Sequence, residues 1–202
     1  MALINPSKKE VQIKIVYYGP GRGGKTTNLE YIHRHLKSDS KSDLVTLKTK
    51  GDRTLFFDFL PIDVGAIYGH KIKINLYTVP GQVKYNATRK LVLKGTDGIV
   101  FVADSMEIIR EKNRSSLKNL QQNLRTYNRS IFKIPLVLQY NKRDLSEQSI
   151  PLLTFDAMQR DLNTKLKAPA IAASALTGQN VGKTAKTIIT LAVSSVKEQL
   201  KK

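Results

Sequence analysis

Hydrophobic residues in this sequence gather in six short runs that are bounded by glycine, proline or polar residues. Runs of this length with such boundaries are typical of β-strands, and the run at 98–104 is apolar almost throughout, as in a strand buried on both faces of a parallel sheet. The predicted strands cover residues 12–18, 55–60, 71–77, 98–104, 134–140 and 170–174.

Most of these strands are separated by longer segments whose apolar residues recur with the spacing of an amphipathic helix. The predicted helices cover residues 26–36, 111–127, 155–166 and 181–200. The polar stretch 37–54, rich in Lys and Asp, is predicted to be a long loop. This alternation predicts a three-layer α/β fold, with a mainly parallel sheet and helices on both faces. We expect one domain over residues 1–202, with its ligand at the carboxyl ends of the strands.

Composition excludes several kinds of site and anchor. The chain has no cysteine, which excludes disulfides, thiolate metal sites, a cysteine nucleophile, prenylation and palmitoylation. Ala2 argues against N-myristoylation, and neither a secretory signal nor an apolar run long enough to cross a bilayer is present. We therefore expect a cytoplasmic protein with no membrane-spanning segment and no lipid anchor.

The charge balance is strongly basic, because 34 Lys and Arg minus 16 Asp and Glu gives +18. An excess of this size favours anionic partners, although a solvated basic surface explains it equally well. The basic residues are spread along the chain, without an arginine-rich arm or a basic patch interleaved with aromatic residues. The pattern therefore does not favour nucleic acid as a partner.

The segment G-P-G-R-G-G-K-T at 19–26 fits the phosphate-binding pattern G-x-x-x-x-G-K-[ST] and lies between a predicted strand and a predicted helix. Its glycines let backbone N–H groups turn toward the β-phosphate, and the helix N-terminus adds positive potential. Lys25 is predicted to reach the β- and γ-phosphates, and a side chain at Gly21 is expected to crowd the γ-phosphate. The predicted phosphate-binding residues are Gly19, Gly21, Gly23, Gly24, Lys25, Thr26, Thr27 and Gly81.

A similar segment, G-Q-N-V-G-K-T at 178–184, has one residue too few between its glycines. It follows S-A-L and opens the last predicted helix. We interpret it as a turn and a helix start rather than as a second nucleotide site.

Two further motifs predict that the base is guanine. N-K-R-D at 141–144 closes a predicted strand, and the Asp144 carboxylate can accept hydrogen bonds from the ring N–H and the exocyclic amine of guanine, a pattern that adenine does not offer. Asn141 can tie this loop to the phosphate-binding loop. S-A-L begins 33 positions after Asn141, where the Ala175 N–H can donate to the guanine carbonyl. The predicted guanine-binding residues are Asn141, Lys142, Asp144, Ser174, Ala175 and Leu176.

The phosphate-binding loop, x-x-G-Q, N-K-x-D and S-A-x occur in that order, each at the carboxyl end of a predicted strand. Over nearly its full length the chain resembles the Ras-like small GTPases, and more closely their bacterial MglA subgroup. The resemblance is carried by V-Y-Y-G-P-G (16–21), G-K-T-T-N-L (24–29), D-R-T-L-F-F-D-F-L-P (52–61), L-Y-T-V-P-G-Q (76–82) and Q-Y-N-K-R-D-L (139–145). Most small GTPases have an aspartate where this chain has Thr78, but threonine is usual within the subgroup.

The resemblance implies a molecular switch that binds GTP or GDP with Mg²⁺, hydrolyses GTP slowly, and changes shape at residues 38–65 and 78–90. It also implies a role in bacterial cell polarity and motility. The implied partners are effectors, an exchange factor and a GTPase-activating protein of the MglB type, a roadblock-fold homodimer. We expect a monomer that partners recruit to a cell pole. Three alternatives stay open: a GTP-binding scaffold with negligible turnover, a GTPase acting on the ribosome or other nucleic acid, and a preference for ATP.

Three residues are predicted to be catalytic within this framework. Gln82 would orient the attacking water, and Arg53 would act as an arginine finger from the same chain. Lys25 would neutralise phosphate charge, and the Gly81 N–H would contact the γ-phosphate.

Mg²⁺ is predicted to be held by the hydroxyl groups of Thr26 and Thr54. Thr78 adds no negative charge and is expected only to bond a metal-bound water. The missing attraction for the ion must therefore come from elsewhere, or the affinity for Mg²⁺ falls. Our hypothesis is Asp58, which is flanked by apolar strand residues, and Asp52 is the competing candidate.

Overall fold

The computed structural model describes residues 3–5, 9–36, 45–47, 57–67, 69–82 and 85–200. Within these ranges one sheet contains the strands β1 (Leu3–Asn5), β2 (Glu10–Tyr18), β3 (Val45–Leu47), β4 (Phe57–Ile67), β5 (His70–Thr78), β6 (Gly98–Asp104), β7 (Leu136–Asn141) and β8 (Ala170–Ala172). The helices of the same ranges are α1 (Lys25–His35), α2 (Asn86–Leu93), α3 (Arg110–Arg125), α4 (Phe155–Leu162) and α5 (Val181–Leu200). None of these helices has the length and hydropathy that a membrane crossing requires.

The sheet has the order β3-β4-β5-β2-β6-β7-β8, and β1 pairs antiparallel with β2. The five strands from β5 to β8 in this order are parallel, whereas β3, β4 and β5 pair antiparallel. Tyr17 of β2 aligns with Thr78 of β5, so the loops that follow these two strands leave the sheet side by side. The predicted mainly parallel sheet is confirmed, and its carboxyl edge collects the loops that carry the motifs.

Both faces of the sheet are covered by helices. Successive side chains of a strand point to opposite faces, so Tyr17 and Tyr18 lie in different apolar clusters. The cluster around Tyr17 is completed by α1 and α5, and the cluster around Tyr18 is completed by α2, α3 and α4. This three-layer arrangement explains the continuous apolar run of β6, which is buried along its whole length.

Three elements depart from the sequence pattern, and the first is strand β1 at Leu3–Asn5, where no strand is predicted. The predicted loop at 37–54 contains β3, a three-residue strand that pairs with β4 and is too short to produce a recognisable alternation. The sequence pattern also predicts no helix at α2, N-A-T-R-K-L-V-L. The buried face of this helix contains the polar residues Thr88 and Arg89 as well as Val92 and Leu93, so it lacks the apolar spacing that marks an amphipathic helix.

Some predicted boundaries are also wrong. Helix α4 ends at Leu162 rather than at residue 166, because the Asn163 side chain bonds the backbone of Ala168 through Oδ1 (2.9 Å to N) and Nδ2 (2.8 Å to O). These bonds take the place of continued helical hydrogen bonds. Strand β4 continues to residue 67 rather than ending at 60, since it forms a hairpin with β5 that shifts register between Asp63 and Ala66.

Candidate nucleotide-binding site

A cavity of about 600 Å³ opens at the carboxyl edge of the sheet. Its walls are the loops that follow β2, β5, β7 and β8, together with one residue of β4. The lining residues are 22–27, Asp58, 78–81, Asn141, Lys142, Asp144, Leu145, Ala175 and Leu176. Four predicted motifs thus meet at one cavity, whereas Gly19, Gly21, Gln82 and Ser174 lie outside its lining.

Two glycines of the phosphate-binding loop cannot be replaced by any residue with a side chain. Gly19 has φ of +146°, and a Cβ atom there would lie 2.2 Å from the Val102 carbonyl oxygen. Gly24 has φ of +93°, and a Cβ atom there would lie 2.2 Å from Asn141 Nδ2. These positions need glycine both for backbone conformation and for space, and they let α1 begin at Lys25 directly under the loop.

Lys25 is buried under the phosphate-binding loop. Its Nζ donates hydrogen bonds to the carbonyl oxygens of Pro20 (2.6 Å) and Gly19 (3.3 Å). Burial and, to a smaller extent, the nearby Arg89 charge lower the pKa of Lys25 to about 7, although Asp58 opposes both effects. An anion such as phosphate beside this ammonium group would favour its charged form.

Asp58 lies between Thr26 and Thr78, two of the three threonines named for the predicted metal site. Thr26 Oγ1 donates to Asp58 Oδ2 at 2.6 Å, and Thr78 Oγ1 donates to the same oxygen at 3.0 Å. The Asp58 backbone N–H donates to Thr78 Oγ1 at 2.9 Å, which fixes the hydroxyl orientation. A buried carboxylate therefore stands beside the position at which Thr78 replaces the usual aspartate.

Asn141 ties three of the loops together. Its Nδ2 donates to the Gly23 carbonyl oxygen at 2.8 Å, and its Oδ1 accepts from the Ala175 N–H at 2.8 Å. The first bond follows the sequence prediction that Asn141 reaches the phosphate-binding loop. The second shows that the Ala175 N–H, predicted to face guanine, already donates to a side chain of the protein.

Asp144 and Lys142 have different surroundings although they share one motif. Asp144 Oδ1 is buried at the cavity and has no hydrogen-bond partner among the described residues. Lys142 adopts φ of +69°, and its Nζ lies 2.7 Å from Oδ2 of the fully buried Asp104 at the end of β6. Because Asp104 neutralises Lys142, the neighbouring Asp144 carboxylate is left available to a ligand.

Comparison with known proteins identifies the family, since a model of the Ras family matches residues 14–194. The chain belongs to the Ras family. Its phosphate-binding loop and N-K-R-D motif are those of a small GTPase, which binds GTP and GDP and hydrolyses GTP.

Three relatives of this Ras-family chain differ widely in similarity. Mutual gliding-motility protein MglA of Myxococcus xanthus is 48% identical over 198 residues, which are 98% of this chain and 99% of the relative. An uncharacterized protein of Methanocaldococcus jannaschii is 27% identical over 139 residues (69% and 75%). ADP-ribosylation factor-like protein 2 of Arabidopsis thaliana is 25% identical over 181 residues (86% and 84%). The first similarity places this Ras-family chain in the MglA subgroup.

The x-x-G-Q loop packs directly on the phosphate-binding loop. A Cβ atom at Gly81 would lie 2.2 Å from Gly21 Cα and 2.5 Å from Gly21 N, so the two backbones are in contact. A Cβ atom at Gly21 would instead meet Gly81 and Gln82 at 3.7–3.8 Å, which is ordinary van der Waals contact. The protein's own atoms therefore exclude a side chain at Gly81 but not at Gly21. Gln82 itself is exposed.

Sequence reasoning missed two charged residues next to these motifs. Arg89 is fully buried in α2 and donates toward the Gly81 carbonyl oxygen, and nothing in its local sequence signals this position. Asp104, the partner of Lys142, could have been found from the sequence. A carboxylate at the end of a buried apolar strand needs a cation or hydrogen-bond donors beside it.

Several predictions concern residues beyond the described ranges. Arg53, Thr54 and Asp52 all lie outside them. The described segment 178–184 forms the predicted turn and helix start, with Gly178 at φ of +85° against the Tyr31 ring and α5 beginning at Val181.

Proposed function

We propose that residues 1–202 form a single-domain GTP/GDP switch, in which the phosphate-binding loop holds the phosphates and Asp144 selects guanine. The observation that carries the proposal is the buried, unpartnered Asp144 Oδ1, which lines the same cavity as Lys25. A buried carboxylate oxygen without a donor is costly, and the guanine ring N–H and amine are the donors that would satisfy it. Direct competition between guanine and adenine nucleotides tests this proposal.

The other guanine contacts follow from the same geometry. The Lys142 stem is held beside the base position by the Asp104 ion pair. The Ala175 N–H would serve Asn141 and the guanine carbonyl together as a three-centre hydrogen bond, a common arrangement in proteins. Ser174 is buried and accepts from the Thr177 N–H, so its role is to shape the turn, and the exposed Leu176 covers the base.

The residues around Asp58 fit Mg²⁺. Hard cations of this kind bind through carboxylate and hydroxyl oxygens, and Thr26, Asp58 and Thr78 bring three such side chains together. We propose that Thr26 and Thr54 ligate the ion, that Asp58 supplies the negative charge, and that Thr78 orients Asp58. When bound, the ion neutralises charge on the β- and γ-phosphates.

Asp58→Asn is expected to raise the Mg²⁺ concentration needed for half-maximal GTP binding by roughly tenfold or more, because the site loses a charge while keeping its shape. Nucleotide binding measured by fluorescence across a Mg²⁺ titration gives this value. Asp63→Asn is the matched control, since Asp63 lies on the same strand but pairs with the exposed Lys71. An unchanged Mg²⁺ requirement in Asp58→Asn would refute the role of Asp58.

For hydrolysis we propose that Gln82 orients the attacking water, with Arg53 as the arginine finger and Lys25 at the phosphates. The packing of Gly81 on Gly21 supports this, because it holds the Gln82 backbone beside the phosphate-binding loop. Residues 38–65 and 78–90 would then report the presence of the γ-phosphate.

Gln82→Leu is expected to slow single-turnover GTP hydrolysis roughly 100-fold or more, since the water loses its orienting group, while GTP affinity stays unchanged. Phosphate release from a preformed GTP complex measures the rate. Gln122→Leu, on the exposed side of α3, provides the control for a surface leucine. Hydrolysis at the wild-type rate in Gln82→Leu would refute the role of Gln82, whereas negligible turnover by the wild type itself would favour the alternative of a GTP-binding scaffold.

We propose that the biological role is bacterial cell polarity and motility, in the cytoplasm and at a cell pole, with an activating partner of the MglB type, an exchange factor and effectors. The similarity to MglA over nearly the whole chain supports this role, and the exposed Gln82 is accessible to a partner. We propose that the chain alone is a monomer. Capture of partners by the GTP-loaded Gln82→Leu variant, compared with the GDP-loaded wild type, tests the role. RNA binding that weakens with salt would instead favour a nucleic-acid function.

A further inference from the structure

Arg89 is the largest fully buried side chain in the described part of the chain. Its Nε donates to the Tyr18 hydroxyl at 2.9 Å, and its Nη2 donates to Ser116 Oγ at 2.9 Å. The guanidinium carbon also lies 4.4 Å from the centre of the Tyr18 ring. The ion pairs of the described residues do not include Arg89, so these contacts keep a full charge buried among neutral acceptors. A charge in this position costs free energy and calls for a functional explanation.

The acceptors of Arg89 are themselves held in place. The Tyr18 hydroxyl donates to Asn119 Oδ1 at 2.6 Å and accepts from Asn123 Nδ2 at 3.0 Å. Tyr18 belongs to β2, whereas Ser116, Asn119 and Asn123 belong to α3. The guanidinium is therefore fixed by the central sheet and by the helix that packs on it.

The third donor of Arg89 points at the x-x-G-Q loop of the proposed switch. Nη1 lies 3.4 Å from the Gly81 carbonyl oxygen, which is a long hydrogen bond compared with the other two. Gly81 is the residue whose backbone contacts Gly21 of the phosphate-binding loop. One fixed side chain thus connects the x-x-G-Q loop to the sheet and to α3 at the point where that loop meets the phosphate-binding loop.

We propose that Arg89 is a positioning residue that holds Gly81 over the phosphate-binding loop and thereby makes the site discriminate GTP from GDP. The inference rests on the proposed switch, in which the Gly81 N–H meets the γ-phosphate. Without Arg89 the loop loses its tether, so the contact to the γ-phosphate costs more ordering entropy. GDP has no γ-phosphate to meet Gly81, so its affinity does not depend on this tether.

Arg89→Met, which keeps much of the volume but removes the donors and the charge, is expected to lower the affinity for a non-hydrolysable GTP analogue at least roughly tenfold. GDP affinity is expected to change by no more than about twofold. Both are measured by titration calorimetry on the same folded samples, checked by their melting temperatures with GDP. Arg89→Lys, which retains a charge and one donor, should recover part of the lost affinity for the GTP analogue.

Two further variants make the experiment decisive. Arg129→Met removes an arginine that donates to the Thr96 carbonyl oxygen at the amino edge of the sheet, so it should leave the GTP-to-GDP affinity ratio unchanged. Ser116→Ala removes one anchor of Arg89 and should shift the ratio in the same direction as Arg89→Met, which keeps the inference testable if the methionine variant does not fold.

The outcomes separate this inference from the proposed function. Equal losses of GDP and GTP-analogue affinity in Arg89→Met would show that Arg89 only packs α2 against α3, and no change in either would show that the tether has no effect. Either result overturns the inference while leaving the guanine-nucleotide switch intact. Failure of the wild type to bind guanine nucleotides would instead overturn the proposed function.

Discussion

Replacing Asp144 by asparagine is expected to lower the affinity for GTP by roughly 10²- to 10⁴-fold, because a hydrogen bond to a charged group contributes about 1.5–3 kcal/mol and two such bonds are involved. Asp144 Oδ1 is buried at the cavity without a hydrogen-bond partner among the described residues. No donor in that part of the chain therefore competes with guanine for this oxygen. In the variant an amide N–H₂ would face a donor of guanine. Titration calorimetry with GTP in the presence of Mg²⁺ measures the loss.

The same substitution should improve the binding of xanthosine triphosphate, which carries a carbonyl group in place of the exocyclic amine and can accept from the asparagine amide. Asp156→Asn, in the exposed first turn of α4, is the matched control and should leave GTP affinity unchanged. If Asp144→Asn bound GTP as tightly as the wild type, Asp144 would not read the base.

Gly81→Ala is expected to slow GTP hydrolysis and weaken GTP-analogue binding by roughly 10²-fold, because even a displacement of about 1 Å at a reacting site has an effect of this size. The added Cβ atom would lie 2.2 Å from Gly21 Cα, 2.5 Å from Gly21 N and 2.8 Å from the Pro20 carbonyl carbon. Backbone atoms cannot move aside as a flexible side chain can, so the x-x-G-Q loop must lift away. GDP affinity should be retained.

Gly21→Ala provides the paired comparison for Gly81→Ala. Its Cβ atom would meet the Gly81 carbonyl carbon at 3.7 Å and Gln82 Cγ at 3.8 Å, so the protein alone accommodates this methyl group. With GDP bound, Gly21→Ala should therefore melt at the wild-type temperature. Wild-type hydrolysis in Gly81→Ala would contradict the close packing of the two loops.

The sequence predicts those parts of the site that are formed by residues close together in the chain. Gly19, Gly24 and Lys25 follow from the demands of a phosphate-binding loop. The structure places Gly19 directly after β2 and places Gly24 and Lys25 at the start of α1, and both glycines have the positive φ angles that such a loop needs. The sequence points to Asp58 because a carboxylate between phenylalanines is out of place in a strand, and the structure shows that Asp58 contacts Thr26 and Thr78. Their binding roles stay predictions.

The parts that the sequence could not supply depend on contacts between distant elements. Arg89 gains its position only because the fold brings Tyr18 of β2 and Ser116 of α3 to one guanidinium group of α2. The pairing of Asp104 with Lys142 joins two strand ends that are adjacent only in the folded sheet. The bond from the Ala175 N–H to Asn141 likewise requires the loops of β7 and β8 to meet.

The most direct test of the central claim is a competition experiment on the wild-type chain, in which unlabelled nucleotides displace fluorescently labelled GDP in the presence of Mg²⁺. Guanine recognition by Asp144 in the cavity of Lys25 predicts that GTP and GDP displace the label, whereas ATP requires at least roughly 10³-fold higher concentrations. Displacement by ATP and GTP at the same concentrations would contradict the account.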